Sequence, residues 1–141
     1  MLGPMANEAL KQSVKQIVSL MRGGNPDDAY AGYAALFASP EFVANRPEDQ
    51  RQVLKLLVHT KRTGRPTPAI VQAHRAAVPA LSELAATYGE PADFEMLGLC
   101  QVVIGDERSA STSFRAGLTI ERARNPQSDL CGALMKWVAS V

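Results

Sequence analysis

Cysteine and histidine are scarce in this chain of 141 residues, with two of each. That scarcity removes most metal and thiol chemistry at the outset. Cys100 and Cys131 each stand inside an apolar helical pattern, the setting of a buried free thiol in a reducing compartment and not of a disulfide or zinc site. His59 and His74 fall on adjacent predicted helices, and neither has a second ligand four residues away, so no metal pair is expected. Also lacking are a Gly-x-Gly-x-x-Gly turn, a phosphate loop and a Gly-x-Ser-x-Gly elbow. No apolar run approaches the ~20 residues of a spanning helix, and the opening residues lack the charged start and apolar stretch of a signal peptide. Excess charge of one sign is missing too: 15 basic and 14 acidic side chains leave a net +1, with no nucleic-acid footprint and no acidic tail. The expectation is a soluble, cytoplasmic protein that is not an enzyme, binds no cofactor, metal or nucleic acid, and does not insert in membranes. The opening "MLGPM" is either an expression scar or natural.

What the chain does have is helical periodicity. Leu10, Val14, Ile17, Val18 and Met21 recur at helical spacing over about 7–22, and Gly23-Gly24 stops them. "NPDDA" then predicts a strong helix start: Asn25 as cap, Pro26 at the first position, Asp27 and Asp28 facing the positive end of the dipole. That helix runs to about Ala38 with Tyr30, Tyr33, Leu36 and Phe37. Ser39 to Asp49 is a connection with a short turn near Phe42-Val43. A third helix from Pro47 carries Val53, Leu54, Leu56, Leu57 and Val58 and is expected to end near Thr63-Gly64. Thr67 caps a fourth, which reaches Tyr88 and which Pro79 should kink or split. Pro91 opens a fifth, Asp106 caps a sixth to about Arg124, and Asn125-Pro126 begins a last helix with Leu130, Leu134, Trp137, Val138 and Val141 on one side. No segment alternates like a strand. Ser109, Ser111, Thr112 and Ser113 read as the wet face and first turn of the sixth helix.

Three helix–stop–helix units in a row invite a search for a period. Gly24, Gly64 and Gly105 align at spacings of 40 and 41 residues; five residues on stand Ala29, Ala69 and Ala110, and nine on stand Tyr33, Ala73 and Phe114. A small residue is needed where two antiparallel helices come closest, since a larger one overpacks the contact. Each hairpin alone leaves an apolar face wet, and the next hairpin covers it.

The third unit, Phe94-x2-Leu97-Gly98-x2-Gln101 followed by Ala110-x3-Phe114, resembles the tetratricopeptide repeat, whose signature is Trp-x2-Leu-Gly-x2-Tyr and Ala-x3-Phe. The first unit matches through Gly24, Ala29 and Tyr33. The second matches least, with Ala73 for the ring and Leu57 where Gly98 stands in the third. The spacing exceeds the family's 34 or so residues. An ordinary helical bundle with alanines at its contacts would give a similar pattern. The resemblance implies an all-α fold: a right-handed stack of about three antiparallel hairpins, a superhelix like that of the tetratricopeptide family. The hairpins would span roughly 7–38, 47–88 and 91–124, with a C-terminal capping helix over 126–141, all in one domain.

The resemblance also implies function. In that family a concave groove, lined by the first helix of each pair, receives a peptide or helix of another protein. The matching positions are Lys11, Val14, Val18 and Arg22 on the first helix, Arg51, Lys55, Val58 and Arg62 on the third, and Glu95, Leu99 and Val102 on the fifth. Cations beside valines suit an acidic segment with apolar anchors. Val18 and Val58 stand where some members grip a terminal carboxylate with asparagine, so that activity is not expected. The expected role is a protein-interaction module, an adaptor, scaffold or small chaperone. The alternative is a structural helical protein that assembles with itself as a homo-oligomer. Phe37, Phe42 and Val43 would form an apolar patch if exposed, although burial in the chain's own core is the expected fate.

Overall fold

The computed structural model describes residues 7–141; the opening "MLGPM" lies outside them. Among the described residues there are seven α-helices and no strand: α1 (Glu8–Arg22), α2 (Pro26–Ala38), α3 (Pro47–Val58), α4 (Pro68–Tyr88), α5 (Pro91–Val103), α6 (Glu107–Arg124) and α7 (Asp129–Ser140), with a 3-10 turn at Phe42–Ala44. They gather into two compact units, one reaching to Ala77 and the other Val78–Val141. The division falls inside α4, just before Pro79. α4 itself is continuous, so of the expected kink or split the split does not occur. Pro79 and Arg75, whose carbonyl the proline leaves without its usual donor, both lie on the exposed side of the helix, where water can satisfy the carbonyl.

Local chemistry explains the helix ends. The Asn7 side chain accepts hydrogen bonds from the amides of Ala9 (2.9 Å) and Leu10 (3.3 Å) and starts α1. Asn25 does not cap α2 with its side chain. Its amide nitrogen turns back and donates to the Gly23 carbonyl, leaving Pro26, Asp27 and Asp28 to favour the start. Asp106, which has no donor to divert it, does cap α6 by accepting from the Ser109 amide at 3.2 Å.

Two of the expected ends moved. α3 stops at Val58, not near Gly64, because the Thr60 hydroxyl takes the Leu56 carbonyl and the Thr60 amide takes that of Leu57, a local pairing that competes with helix propagation. α7 begins at Asp129, not at Asn125-Pro126. The Ser128 amide donates to the Asn125 carbonyl across a turn with Pro126 at its second position. The Ser128 hydroxyl then caps α7 by accepting from the Cys131 amide at 2.9 Å and donates to Glu121 at 2.6 Å.

The turns of α1–α2 and α5–α6 are the same turn. Gly23, Gly24 and Asn25 donate to the carbonyls of Ser19, Met21 and Leu20; Ile104, Gly105 and Asp106 donate to those of Cys100, Val102 and Gln101. Each bond of the first set recurs in the second at an offset of 81 residues. Gly24 and Gly105 hold φ of +80° and +84°, the left-handed residue of a Schellman ending. Gly64 shares the positive φ but lies well past the end of α3, so the expected threefold alignment holds at two places. The alanines agree: Ala29 and Ala110 are fully buried, whereas Ala69 is only half-buried.

In the first unit α1 packs on α2. Tyr30, Tyr33, Phe37 and Phe42 form a run of ring contacts with centroids 6.3, 5.8 and 5.0 Å apart. Phe37 and Phe42 are therefore core residues, and of the supposed patch Val43 alone is exposed. Arg46 grips the fully buried Asp49 through two bonds of 2.9 and 3.0 Å at the head of α3. In the second unit α6 packs on both α5 and α7. Ala110, Phe114, Leu118, Cys131 and Leu134 make its core cluster. Cys100 and Cys131 are buried and form no disulfide.

His74 lies buried on α4, its Nδ1–H donating to the Ile70 carbonyl at 2.7 Å. Burial pushes its pKa below the ordinary histidine value, and the Arg62 charge acts in the same direction. The unfolded chain therefore binds a proton that the folded chain refuses. Its contribution is complete above about pH 6.5 and is lost as the pH falls from there toward the folded value. Thermal melts should show the midpoint dropping through that window, and His74→Gln should flatten the drop. An unchanged slope in the variant would assign the acid sensitivity elsewhere.

Candidate functional site: the open faces of the helical hairpins

The predicted groove residues do not share one fate. On α1, Lys11 and Val18 are half-buried and Arg22 is exposed. Val14 has no accessible surface, so it serves the core and cannot line a groove. On α3, Lys55 is exposed while Arg51 and Val58 are half-buried. Because α3 ends at Val58, Arg62 is not on that helix but in the connection to α4. There its charge acts on Tyr30 and His74. On α5, Val102 is 41% exposed, but Glu95 and Leu99 are already engaged. The Trp137 indole donates to Glu95 at 3.0 Å, its ring stacks on Phe114 at 6.0 Å, and Leu99 packs against the cluster that α7 completes. On α5, then, the chain's own last helix sits where a partner was expected.

A different surface stands open. Ser13, Gln16, Ile17 and Leu20 of α1, with Gly32, Ala35, Leu36 and Ser39 of α2 and its C-terminal edge, line a cleft of about 420 Å³. Its lining carries no charge. Its floor is set by Gly32, where a Cβ would come within 2.9 Å of Ile17 Cγ1; the knob of Ile17 fills that notch and brings α1 and α2 close. Ala35 and Gln16 are exposed, and Leu20 and Leu36 are half-buried.

The offset of 81 residues makes the chain its own control. The cleft positions Gln16, Leu20, Gly32 and Leu36 correspond to Leu97, Gln101, Ser113 and Gly117. All four of these counterparts are buried, and the Ser113 hydroxyl donates to Gln101 at 2.6 Å inside that face. The same face is thus closed on α5–α6 and open on α1–α2. The correspondence runs on without a gap from α3 to α7. Gln50 and Val53 fall at the buried places of Cys131 and Leu134. Leu54, however, is fully buried, while its counterpart Met135 is 51% exposed. Beside Met135, a Cβ on Gly132 would meet nothing within 4 Å.

The small-residue run Gly32, Ala35, Ser39 was a usable signal for the cleft, but its meaning depends on which face the chain closes elsewhere, and composition does not encode that. Among the described residues no three His, Cys, Asp or Glu side chains gather as metal ligands, and no helix is long and apolar enough to cross a membrane. Comparison with protein-family models, curated proteins and solved structures returned no match.

Proposed function

We propose that this chain is a non-enzymatic protein-interaction module, a tetratricopeptide-like helical array, that takes a helix of a partner protein into the cleft between α1 and α2. The observation that carries this reading is the contrast between equivalent faces: buried at Leu97, Gln101 and Ser113, open at Gln16, Leu20 and Gly32. A face lined by glycine, alanine and serine lets a third helix approach to the short interaxial distances of packed helices. An uncharged lining exacts no desolvation of a buried ion, and Leu20 and Leu36 offer apolar area on either side. The first unit holds ten basic and six acidic side chains, a net +4 that favours an acidic partner by long-range attraction. Two buried cysteines that form no disulfide fit a reducing compartment such as the cytoplasm.

Displayed amphipathic peptides of about 15 residues, long enough to form helix on contact, provide the test. They would be selected on the immobilised chain and counter-selected on Ala35→Glu, which places a charge in the cleft at an exposed position. Selected peptides should shift the amide resonances of Ser13, Gln16, Leu20 and Leu36 and should lose at least tenfold in affinity for the variant. Equal binding to both chains, or shifts confined to other surfaces, would defeat the reading.

A further inference from the structure

The cleft of the first unit and the bare side of α7 in the second are two open faces of opposite kind. One is a trough with Gly32 at its floor. The other is a helix side led by the exposed Met135, with Gly132 and Ala139 next to it on the same stripe and also exposed. Elsewhere in the chain the counterpart of each is buried: Ser113 for Gly32, Leu54 for Met135. We infer that the helix received by the α1–α2 cleft is α7 of a second copy of this chain, so that copies associate head to tail. The inference rests on the cleft being a helix-docking face and adds the identity of the occupant.

Charge distribution selects this occupant and this arrangement. The first unit carries ten basic and six acidic side chains, the second five basic and eight acidic, giving net charges of +4 and −3. A symmetric dimer formed cleft to cleft, or α7 to α7, sets units of like sign against each other. Head-to-tail docking sets the positive unit of one copy against the negative unit of the next. The contact itself is apolar and small-sided: Met135 enters beside Leu20 and Leu36, and the glycine and alanines on both surfaces let the backbones approach. Attraction between whole units weakens with salt, because screening at about 0.5 M shortens the reach of charge to a few ångströms.

Light scattering across a concentration series, with two variants at exposed positions, tests this. Wild-type chain of 15.2 kDa should rise in mass to at least twice the monomer as concentration increases, and less so at about 0.5 M salt than at about 0.05 M. Ala35→Glu and Met135→Glu, each shown folded by circular dichroism, should each stay monomeric. Mixed one to one they should recover a single joint and stop at the dimer, because the first still offers α7 and the second still offers the cleft. Association of either variant alone at wild-type strength, or no dimer in the mixture, overturns the inference. So does a wild type that is monomeric throughout. In that last case, binding of cleft-selected peptides to Met135→Glu separates the outcomes: binding retains the docking cleft and makes its occupant another protein, and no binding removes the cleft as well.

Discussion

Gly98→Ala should destabilise the chain by about 2 kcal/mol, lowering the melting midpoint by roughly 4–8 °C. The added Cβ would lie 2.4, 2.6 and 2.8 Å from three carbons of the Phe114 ring. That ring is fully buried and stacked on Trp137, which is itself tied to Glu95. It cannot yield without moving α7. Overpacking of this kind costs about 1–3 kcal/mol or more, and the helix propensity gained from alanine offsets at most about 1 kcal/mol of it. Gly132→Ala is the matched control. The same substitution in α7 meets open space and should stabilise by up to about 1 kcal/mol. Urea unfolding followed by fluorescence of the single tryptophan reads both. A neutral Gly98→Ala would mean that α5 and α6 do not approach as closely as described.

The second large effect is expected at Phe42. Phe42→Ala should cost about 3–5 kcal/mol, a sizeable share of the 5–15 kcal/mol that holds a typical domain. Phe42 sits on a 3-10 turn in the middle of a connection, yet it is 1% exposed and packs edge-on against Phe37 at 5.0 Å. Its removal takes the end from the ring series begun by Tyr30 and leaves a cavity beneath a short turn. Hydrogen exchange should show the loss in α2 and in the turn. Were Phe42 a surface residue, the change would fall within about 0.5 kcal/mol.

Helix existence was legible in the residues, because punctuation and periodicity are local. Pro26, Pro47 and Pro91 open helices where expected, and Gly24 and Gly105 close turns where expected. The early end of α3 was not legible. A threonine hydroxyl competing for a carbonyl in the preceding turn is one of several options open to Thr60, and neighbouring structure decides among them. Pro79 failed as a breaker because its damage falls on the wet side of α4, and sidedness belongs to packing. The site was the least legible part. Val14 and Glu95 occupy equivalent places in α1 and α5, and the family resemblance put both in a groove. Val14 is sealed in the core and Glu95 answers Trp137 from 42 residues away. No local pattern announces a contact of that range.

The two matching hairpins share a turn but not a fit. In α1–α2 the protruding side chain is Ile17, on the first helix, and Gly32 receives it; in α5–α6 it is Phe114, on the second helix, and Gly98 receives it. Pairing α1 with α6 would drive isoleucine into a phenyl ring. Pairing α5 with α2 would leave the notch of Gly32 without Ile17 and set Gly98 opposite Tyr33, the counterpart of Phe114. The first mismatch overpacks the contact and is costly. Hairpins that share a turn can exchange partners as they fold, and here Ile17 bars α1 from the mate of α5. Chimeras built by trading α1 for α5 should misassemble although every loop in them is native.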